Sequence, residues 1–260
     1  MTALWVAIWV ELLKARRSRV SWLTFLAFSC LPAMAGLFMI LLRNPSLAVQ
    51  AGILNQKAKL LTGQPDWPSF MGIITQGVAV GGLLVFGFLT SWLFGREYAD
   101  QTMKDLLALP VPRFQIMLAK FLVLAGLCLL LVVGILLEGL AIGTLLKLSS
   151  WPGTGWPLIL IRYFETAGLT LLLSFPAALL AHIGRGYLSP LGYVILTLVF
   201  AQVIAAAGFG PYFPWAVPSL HSGMAGIIHL PGLSFLLVWL TGLAGVISTL
   251  VWCQYADFDK

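Results

Sequence analysis

The chain has 260 residues, of which 60% are hydrophobic and 9% are charged, whereas a typical soluble domain is roughly 45–50% apolar and about 25% charged. These numbers exclude a water-soluble globular protein, and they also exclude intrinsic disorder and a disulfide scaffold. The net charge of +6 comes from Lys and Arg residues scattered between hydrophobic runs, which argues against a nucleic-acid-binding protein. The composition predicts an all-α integral membrane protein with a single transmembrane domain.

Residues 1–19 are predicted to form an amphipathic helix in the membrane interface. Trp5 and Trp9 share one face at helical spacing, and Glu11 and Lys14 lie off that face. The alternative is that this segment extends the first span into the cytoplasm. We favour the interfacial helix, because a single continuous span would contain the basic cluster that begins at Lys14.

Six apolar runs are each long enough to cross ~30 Å of hydrocarbon. The predicted spans are residues 20–42, 69–95, 119–146, 163–184, 187–207 and 232–254. The side that carries the N-terminus holds ten Lys and Arg residues and the other side holds five. The positive-inside rule therefore predicts a multi-pass plasma-membrane protein with both termini in the cytoplasm.

The loop 96–113 concentrates charge and is expected on the cytoplasmic side. A helix over residues 99–110 is predicted there, capped at its start by Asp100 or Thr102. Its apolar face comprises Met103, Leu106, Leu107 and Pro110. Its polar face comprises Gln101, Lys104, Asp105 and Ala108. Such a short helix needs support from the spans or from a partner; the alternative is a simple connector whose charges are solvated.

The order of residues in this loop resembles the cytoplasmic loop of ABC-2 type transporter permeases, particularly the bacitracin- and lantibiotic-type exporters. The matching residues are Glu97, Thr102, Leu106, Leu107, Pro110, Arg113 and Lys120. The glycine that usually precedes the threonine is Gln101 here. The basic N-terminus, the six spans and the Gly/Pro/aromatic-rich outer segment 208–231 also resemble this family.

The resemblance implies a permease that acts as a dimer with two copies of a separate ATPase. It assigns the coupling role to Glu97, Asp100, Gln101, Thr102, Lys104, Asp105, Leu106, Leu107, Pro110 and Arg113. The sequence contains no G-x-x-x-x-G-K-[ST] loop of the kind that binds nucleotide phosphates. We therefore expect no cofactor in this chain, with ATP and Mg on the partner ATPase.

Glu138 is the one carboxylate deep in a predicted span, which makes it a candidate functional residue. The alternative is a protonated side chain that is hydrogen-bonded within the bundle or lies near the outer water layer. Glu165 follows Arg162 by three residues, and the two are expected to pair at the membrane surface.

The outer segment 208–231 presents Tyr212, Phe213 and Trp215 between several prolines. It is either a re-entrant element that lines an outer gate or an aromatic anchor at the interface, and we favour the anchor.

Taken together, these features predict the membrane-spanning subunit of an ATP-binding cassette exporter that moves an amphiphilic substrate by alternating access. The expected partners are the ATPase, a second permease protomer and membrane lipids, with no nucleic acid. A self-contained secondary transporter that uses Glu138 is the alternative. An integral membrane enzyme ranks third, because no catalytic or metal-binding spacing is recognisable.

Overall fold

A computed structural model of the chain describes residues 3–44, 64–102, 111–151, 153–223 and 230–255. These residues form α-helices joined by turns, without a β-strand among them. The helices are α1 (Ala3–Arg17), α2 (Arg19–Arg43), α3 (Trp67–Ala99), α4 (Arg113–Leu145), α5 (Trp156–Ser174), α6 (Pro176–Ile183), α7 (Leu188–Ala206), α8 (Val217–His221) and α9 (Gly232–Tyr255). Six segments are long and apolar enough to span a membrane: α2, α3, α4, Gly153–Ile183 (which contains α5 and α6), α7 and α9. The predicted all-α polytopic fold is confirmed.

α1 is separated from the first candidate span by a break at Ser18. The backbone of Ser18 is extended, with φ −78° and ψ 137°, and its side chain accepts a hydrogen bond from the Val20 N–H at 3.1 Å. Ser18 is thus a typical N-cap for α2. One side of α1 exposes Trp5 and Trp9, whereas Glu11 on the other side is buried against the bundle.

α3 is the central helix of the bundle and contacts α2, α4, α5, α6 and α7. Its fully buried side chains include Phe70, Ile74, Val78 and Phe86. Between helices in a membrane such contacts stabilise mainly through close packing rather than through removal of apolar surface from water. α3 therefore packs against most of the other helices.

The fourth candidate span is broken where α5 meets α6. Pro176 cannot donate a backbone hydrogen bond, and Phe175 N–H instead bonds to the Leu172 carbonyl at 3.3 Å. Gly245 of α9 packs against this point: a Cβ at Gly245 would lie 2.6 Å from the Pro176 nitrogen. The break thus provides a close contact between the fourth and sixth spans.

Two helices begin earlier than the corresponding predicted spans. α4 begins at Arg113 rather than near residue 119, and the fourth helical segment begins at Gly153 rather than near residue 163. An apolar run marks the part of a helix that lies in hydrocarbon, and the helix itself continues into the polar layer. Lys120 consequently lies about two turns inside α4.

Candidate functional site

Five charged side chains from three helices form what we call the ion cluster: Glu11, Lys14, Arg96, Glu97 and Lys120. Lys120 Nζ lies 2.6 Å from Glu97 Oε1 and 3.1 Å from Glu11 Oε2. Lys14 Nζ lies 2.7 Å from Glu11 Oε1 and 3.5 Å from Glu97 Oε1. Arg96 Nη2 lies 3.8 Å from one oxygen of each carboxylate. The cluster thus joins α1, the end of α3 and the start of α4.

The ammonium group of Lys120 is the centre of this cluster. Its side chain is 1% exposed, and its three protons have three acceptors: the two carboxylates and the Leu93 carbonyl oxygen at 3.1 Å. A lysine ammonium offers three donors and no acceptor, so all of its hydrogen-bonding capacity is used. This coordination compensates for the loss of water around a fully buried charge.

The cluster also keeps Glu11 ionised. Burial alone would raise the pKa of the Glu11 carboxyl, but the positive charges of Lys120 and Lys14 and their hydrogen bonds hold that pKa below its ordinary value of 4.5. Around the two carboxylates lie three cations, of which Lys14 is the most exposed, with a third of its side chain accessible. The arrangement is therefore a charge-compensated contact between helices at one end of the bundle.

Sequence reasoning identified Glu97 and noted Lys120, but it missed Glu11. The prediction treated Glu11 as lying off the apolar face of α1, whereas its side chain points into the protein and is 2% exposed. The sequence does contain one indication of the cluster, namely unlike charges near the ends of apolar runs. That pattern does not specify which of the available partners meet in the folded chain.

The loop 96–113 begins with a tight turn that ends α3. The Thr102 N–H donates to the Glu97 carbonyl at 3.0 Å, and the Gln101 N–H donates to the Tyr98 carbonyl at 3.3 Å. This is the hydrogen-bond pattern of a Schellman motif, whose central residue adopts the left-handed conformation. Gln101 has φ 57°, at the position where the resemblance expects glycine.

This turn differs from the predicted start of the loop helix at residue 99. Ala99 is the last residue of α3 and Asp100 is its C-cap, with an N–H that donates to the Arg96 carbonyl at 2.9 Å. Asp100, Gln101 and Thr102 are all exposed and terminate α3 instead of opening a helix at residue 99. The left-handed residue at 101 prevents α3 from running on into the loop.

Part of the predicted coupling set lies outside the described residues. This part comprises Lys104, Asp105, Leu106, Leu107 and Pro110. Arg113, the last member, is the first residue of α4 and is exposed. The two ends of the loop are thus placed, at Glu97 to Thr102 and at Arg113, and the ion cluster joins the helices from which they emerge.

Glu138 lies on α4, about five turns beyond Lys120 of the ion cluster. Its Oε1 accepts a hydrogen bond from Ser29 Oγ of α2 at 2.8 Å, and its side chain is half-buried. Among the described residues, no basic group lies within salt-bridge distance of it. This contact joins the first and third spans and agrees with the hydrogen-bonded alternative for Glu138.

The outer segment is compact over its described part. Gly210–Tyr212 and Pro214–Ala216 form 3-10 turns that lead into α8. Tyr212 is 61% exposed, whereas Phe213 and Trp215 are half-buried and lie 5.3 Å apart between ring centroids. Trp215 also contacts Tyr193 of α7 edge-to-face at 5.9 Å. Of the three predicted gate residues, Tyr212 alone is largely accessible.

Polar contacts attach this segment to α3 and α5. Gln76 Nε2 donates to Ser219 Oγ at 2.8 Å, and Ser222 Oγ donates to Gln76 Oε1. Glu165 Oε2 lies 3.1 Å from His221 Nε2. The expected pair of Glu165 with Arg162 is wrong, because the carboxylate is turned towards α8.

Beside this contact lies a groove of about 530 Å³ between α5, α8 and α9. Leu169 and Leu172 of α5 and Phe235 and Trp239 of α9 supply apolar walls, and the Glu165–His221 pair lies at its margin. The groove therefore combines apolar walls with one polar pair.

A family model described as "ABC-2 family transporter protein" matches residues 7–203. The match begins within α1 and includes the ion cluster, the loop 96–113 and Glu138. The chain belongs to the ABC-2 transporter family. It is also 30% identical over 186 residues to the bacitracin transport permease protein BCRB of Bacillus licheniformis, with 68% of this chain and 85% of that protein covered. No solved structure matches the chain.

Membership of the ABC-2 family makes this chain the membrane subunit of a transporter, and it implies an ABC ATPase as the general type of partner. The six candidate spans agree with a multi-pass membrane protein. Within this ABC-2 protein, the ion cluster lies where the helices that flank the loop 96–113 meet α1.

Proposed function

We propose that this chain is the permease subunit of an exporter that moves an amphiphilic molecule, such as a peptide antibiotic or a lipid-linked compound, across the plasma membrane. Two copies pair with each other and with two copies of a separate ATPase subunit, and both termini of each chain lie in the cytoplasm. Transport proceeds by alternating access. The family match and the similarity to a bacitracin transport permease support this proposal.

The ion cluster is the observation that carries the coupling part of the proposal. Glu97 lies in the last turn of α3 and Lys120 in the third turn of α4, so the cluster joins both helices that flank the loop 96–113. A push on this loop acts on the ends of both helices. Because the buried ion pairs resist separation, α1, α3 and α4 then move together.

The groove between α5 and α9 is the observation that supports the proposal of an amphiphilic substrate. Its walls are apolar and its polar margin is the Glu165–His221 pair. Binding sites for small molecules commonly combine such walls with a few polar groups that fix orientation. An ion or a fully polar solute would find little to bind on these walls.

Charge reversal in the loop tests the coupling. Asp105→Lys is expected to leave the bundle folded, because the sequence places Asp105 on the polar face of the loop helix. It should weaken binding of the ATPase, since a wrong charge in a complementary interface costs up to several kcal/mol. The measurement is the amount of ATPase that co-purifies with the tagged permease, together with transport activity and the yield of permease in membranes.

Leu106→Asp is the matched variant for the apolar face of the same predicted helix. It puts a charge where the helix rests on the spans, so it is expected to lower the membrane yield itself. If Asp105→Lys retains the ATPase and full transport, the loop is only a connector and the coupling proposal fails.

A further inference from the structure

A second groove, of about 510 Å³, lies at the same end of the bundle as the ion cluster. The exposed Arg16 of α1 lies at its mouth, and its walls include Ala15 of α1, Trp22 and Phe25 of α2 and Leu130 of α4. We call it the α1 groove. It lies between the N-terminal helix and the first three spans, on the outer surface of the bundle.

The walls of the α1 groove suit a hydrocarbon chain. Apart from Arg16 and Ser21, every residue that lines it is apolar, and the hydroxyl of Ser21 already donates to the Ala15 carbonyl at 2.9 Å. Trp22 and Leu130 are 71% and 67% exposed, on a surface that faces lipid in a membrane-spanning protein. The groove is thus an apolar recess that opens to the bilayer.

The mouth of the groove is positive, because the exposed Arg16 lines it. Arg16 follows Lys14 and precedes Arg17 and Arg19, and the nearest acid in the sequence, Glu11, is engaged by Lys120 and Lys14. Among the residues that the structure describes, no carboxylate lies within salt-bridge distance of Arg16. A basic mouth above an apolar recess complements an anionic headgroup attached to an acyl chain.

We propose that the α1 groove binds one anionic phospholipid, with the headgroup phosphate at Arg16 and an acyl chain between Phe25 and Leu130. Ala15, in the groove wall, follows Glu11 by one helical turn. A bound lipid therefore supports the helix that presents Glu11 to the ion cluster. The proposal needs the chain to span a membrane and does not depend on the proposed ATPase coupling.

Native mass spectrometry of the purified full chain tests this site. Phosphatidylglycerol and phosphatidylcholine with identical acyl chains are supplied in separate detergent samples. The unsubstituted chain should retain phosphatidylglycerol in preference to phosphatidylcholine. Arg16→Gln should reduce that preference about fivefold, the change that corresponds to about 1 kcal/mol per basic residue near a lipid surface. Inorganic phosphate at the same concentration should not displace the lipid.

Two matched controls distinguish binding in the α1 groove from general effects of protein charge and side-chain volume. Arg17 carries the next positive charge on α1 and does not line the groove. The Arg17→Gln variant should therefore keep the preference for phosphatidylglycerol. Leu130→Trp partly fills the groove and should lower retention, whereas Leu129→Trp, at an exposed neighbour outside the groove, should not. Equal retention of the two lipids by the unsubstituted chain overturns the proposal. So does an Arg16→Gln variant that behaves like Arg17→Gln.

Discussion

Lys120 is a fully buried lysine whose charge is stabilised by three acceptors around its ammonium group. Two of these acceptors, Glu11 and Glu97, are themselves buried carboxylates. Removal of Lys120 would leave these two carboxylates with the partly exposed Lys14 and the more distant Arg96 as their cationic partners. The stability of the protein should therefore fall when one charge of the cluster is removed, and fall less when charges of both signs are removed together.

Lys120→Met is expected to destabilise the protein by about 3–5 kcal/mol, because two carboxylates would then face each other in a buried site. Thermal unfolding of the purified chain in detergent measures this loss. The control is Lys14→Met, which removes a cation with a third of its side chain exposed and should cost at most about 1 kcal/mol.

If Lys120→Met alone gives too little folded protein, most of the cluster can be neutralised at once. Lys120→Met combined with Glu11→Gln, Glu97→Gln and Arg96→Gln should recover most of the lost thermal stability, because Lys14, with a third of its side chain exposed, is then the one charge left in the cluster. Similar small losses for Lys120→Met and Lys14→Met would contradict the role assigned to the cluster.

The sequence predicted part of this site for a physical reason. Charges at the ends of apolar runs are visible in the sequence, and Glu97 and Lys120 were both noted there. The contact of Glu11 with Lys120 was missed because it depends on how α1 is rotated against the bundle. The left-handed conformation of Gln101 was also missed, since glutamine gives no indication of a positive φ.

Among the helices, the interrupted fourth span depends on one close contact. Gly245 of α9 faces the backbone at Phe175 and Pro176, where the helix cannot continue its hydrogen-bond pattern. The neighbouring atoms are main-chain atoms, so they cannot move aside as a flexible side chain would. A glycine is needed here for its lack of a side chain rather than for its conformational freedom.

Gly245→Ala is expected to destabilise the chain by about 1–3 kcal/mol, the usual cost of overpacking. The matched control is Gly126→Ala on α4, where an added Cβ meets nothing within 4 Å. That control should be neutral or slightly stabilising, because alanine is a better helix former by roughly 0.5–1 kcal/mol. Thermal unfolding compares the two, and equal effects would show that the contact between α9 and the break is not tight.

The existence of the spans was more predictable than their ends. Apolar runs of sufficient length indicate hydrocarbon-spanning segments, and six such helices are present among the described residues. The predicted span begins near residue 119, whereas α4 begins at Arg113, because the charged residues from Arg113 to Lys120 interrupt the apolar run and helices continue beyond the hydrocarbon layer. The break at Pro176 lies within an otherwise apolar run, so hydropathy alone did not reveal it.

At the scale of the whole molecule, the two ends of the bundle differ in character. One end holds the ion cluster and the positive mouth of the α1 groove. The other end holds an aromatic group in which Trp67 lies 5.0 Å from Trp151 and 5.6 Å from Trp156 between ring centroids. Trp151 of this group is 59% exposed, as suits a tryptophan at the membrane interface. The basic end is the one proposed to meet the cytoplasmic ATPase.

The most direct test of whether this protein is a permease driven by another polypeptide is an ATP hydrolysis assay. It compares the purified chain alone with the chain after addition of the ATPase subunit that co-purifies with it. The chain alone, in lipid nanodiscs and free of contaminating ATPases, is expected to show no hydrolysis above background. The complex is expected to hydrolyse ATP, because the nucleotide site lies on the added subunit. Robust hydrolysis by the chain alone would contradict a permease subunit without its own ATPase site.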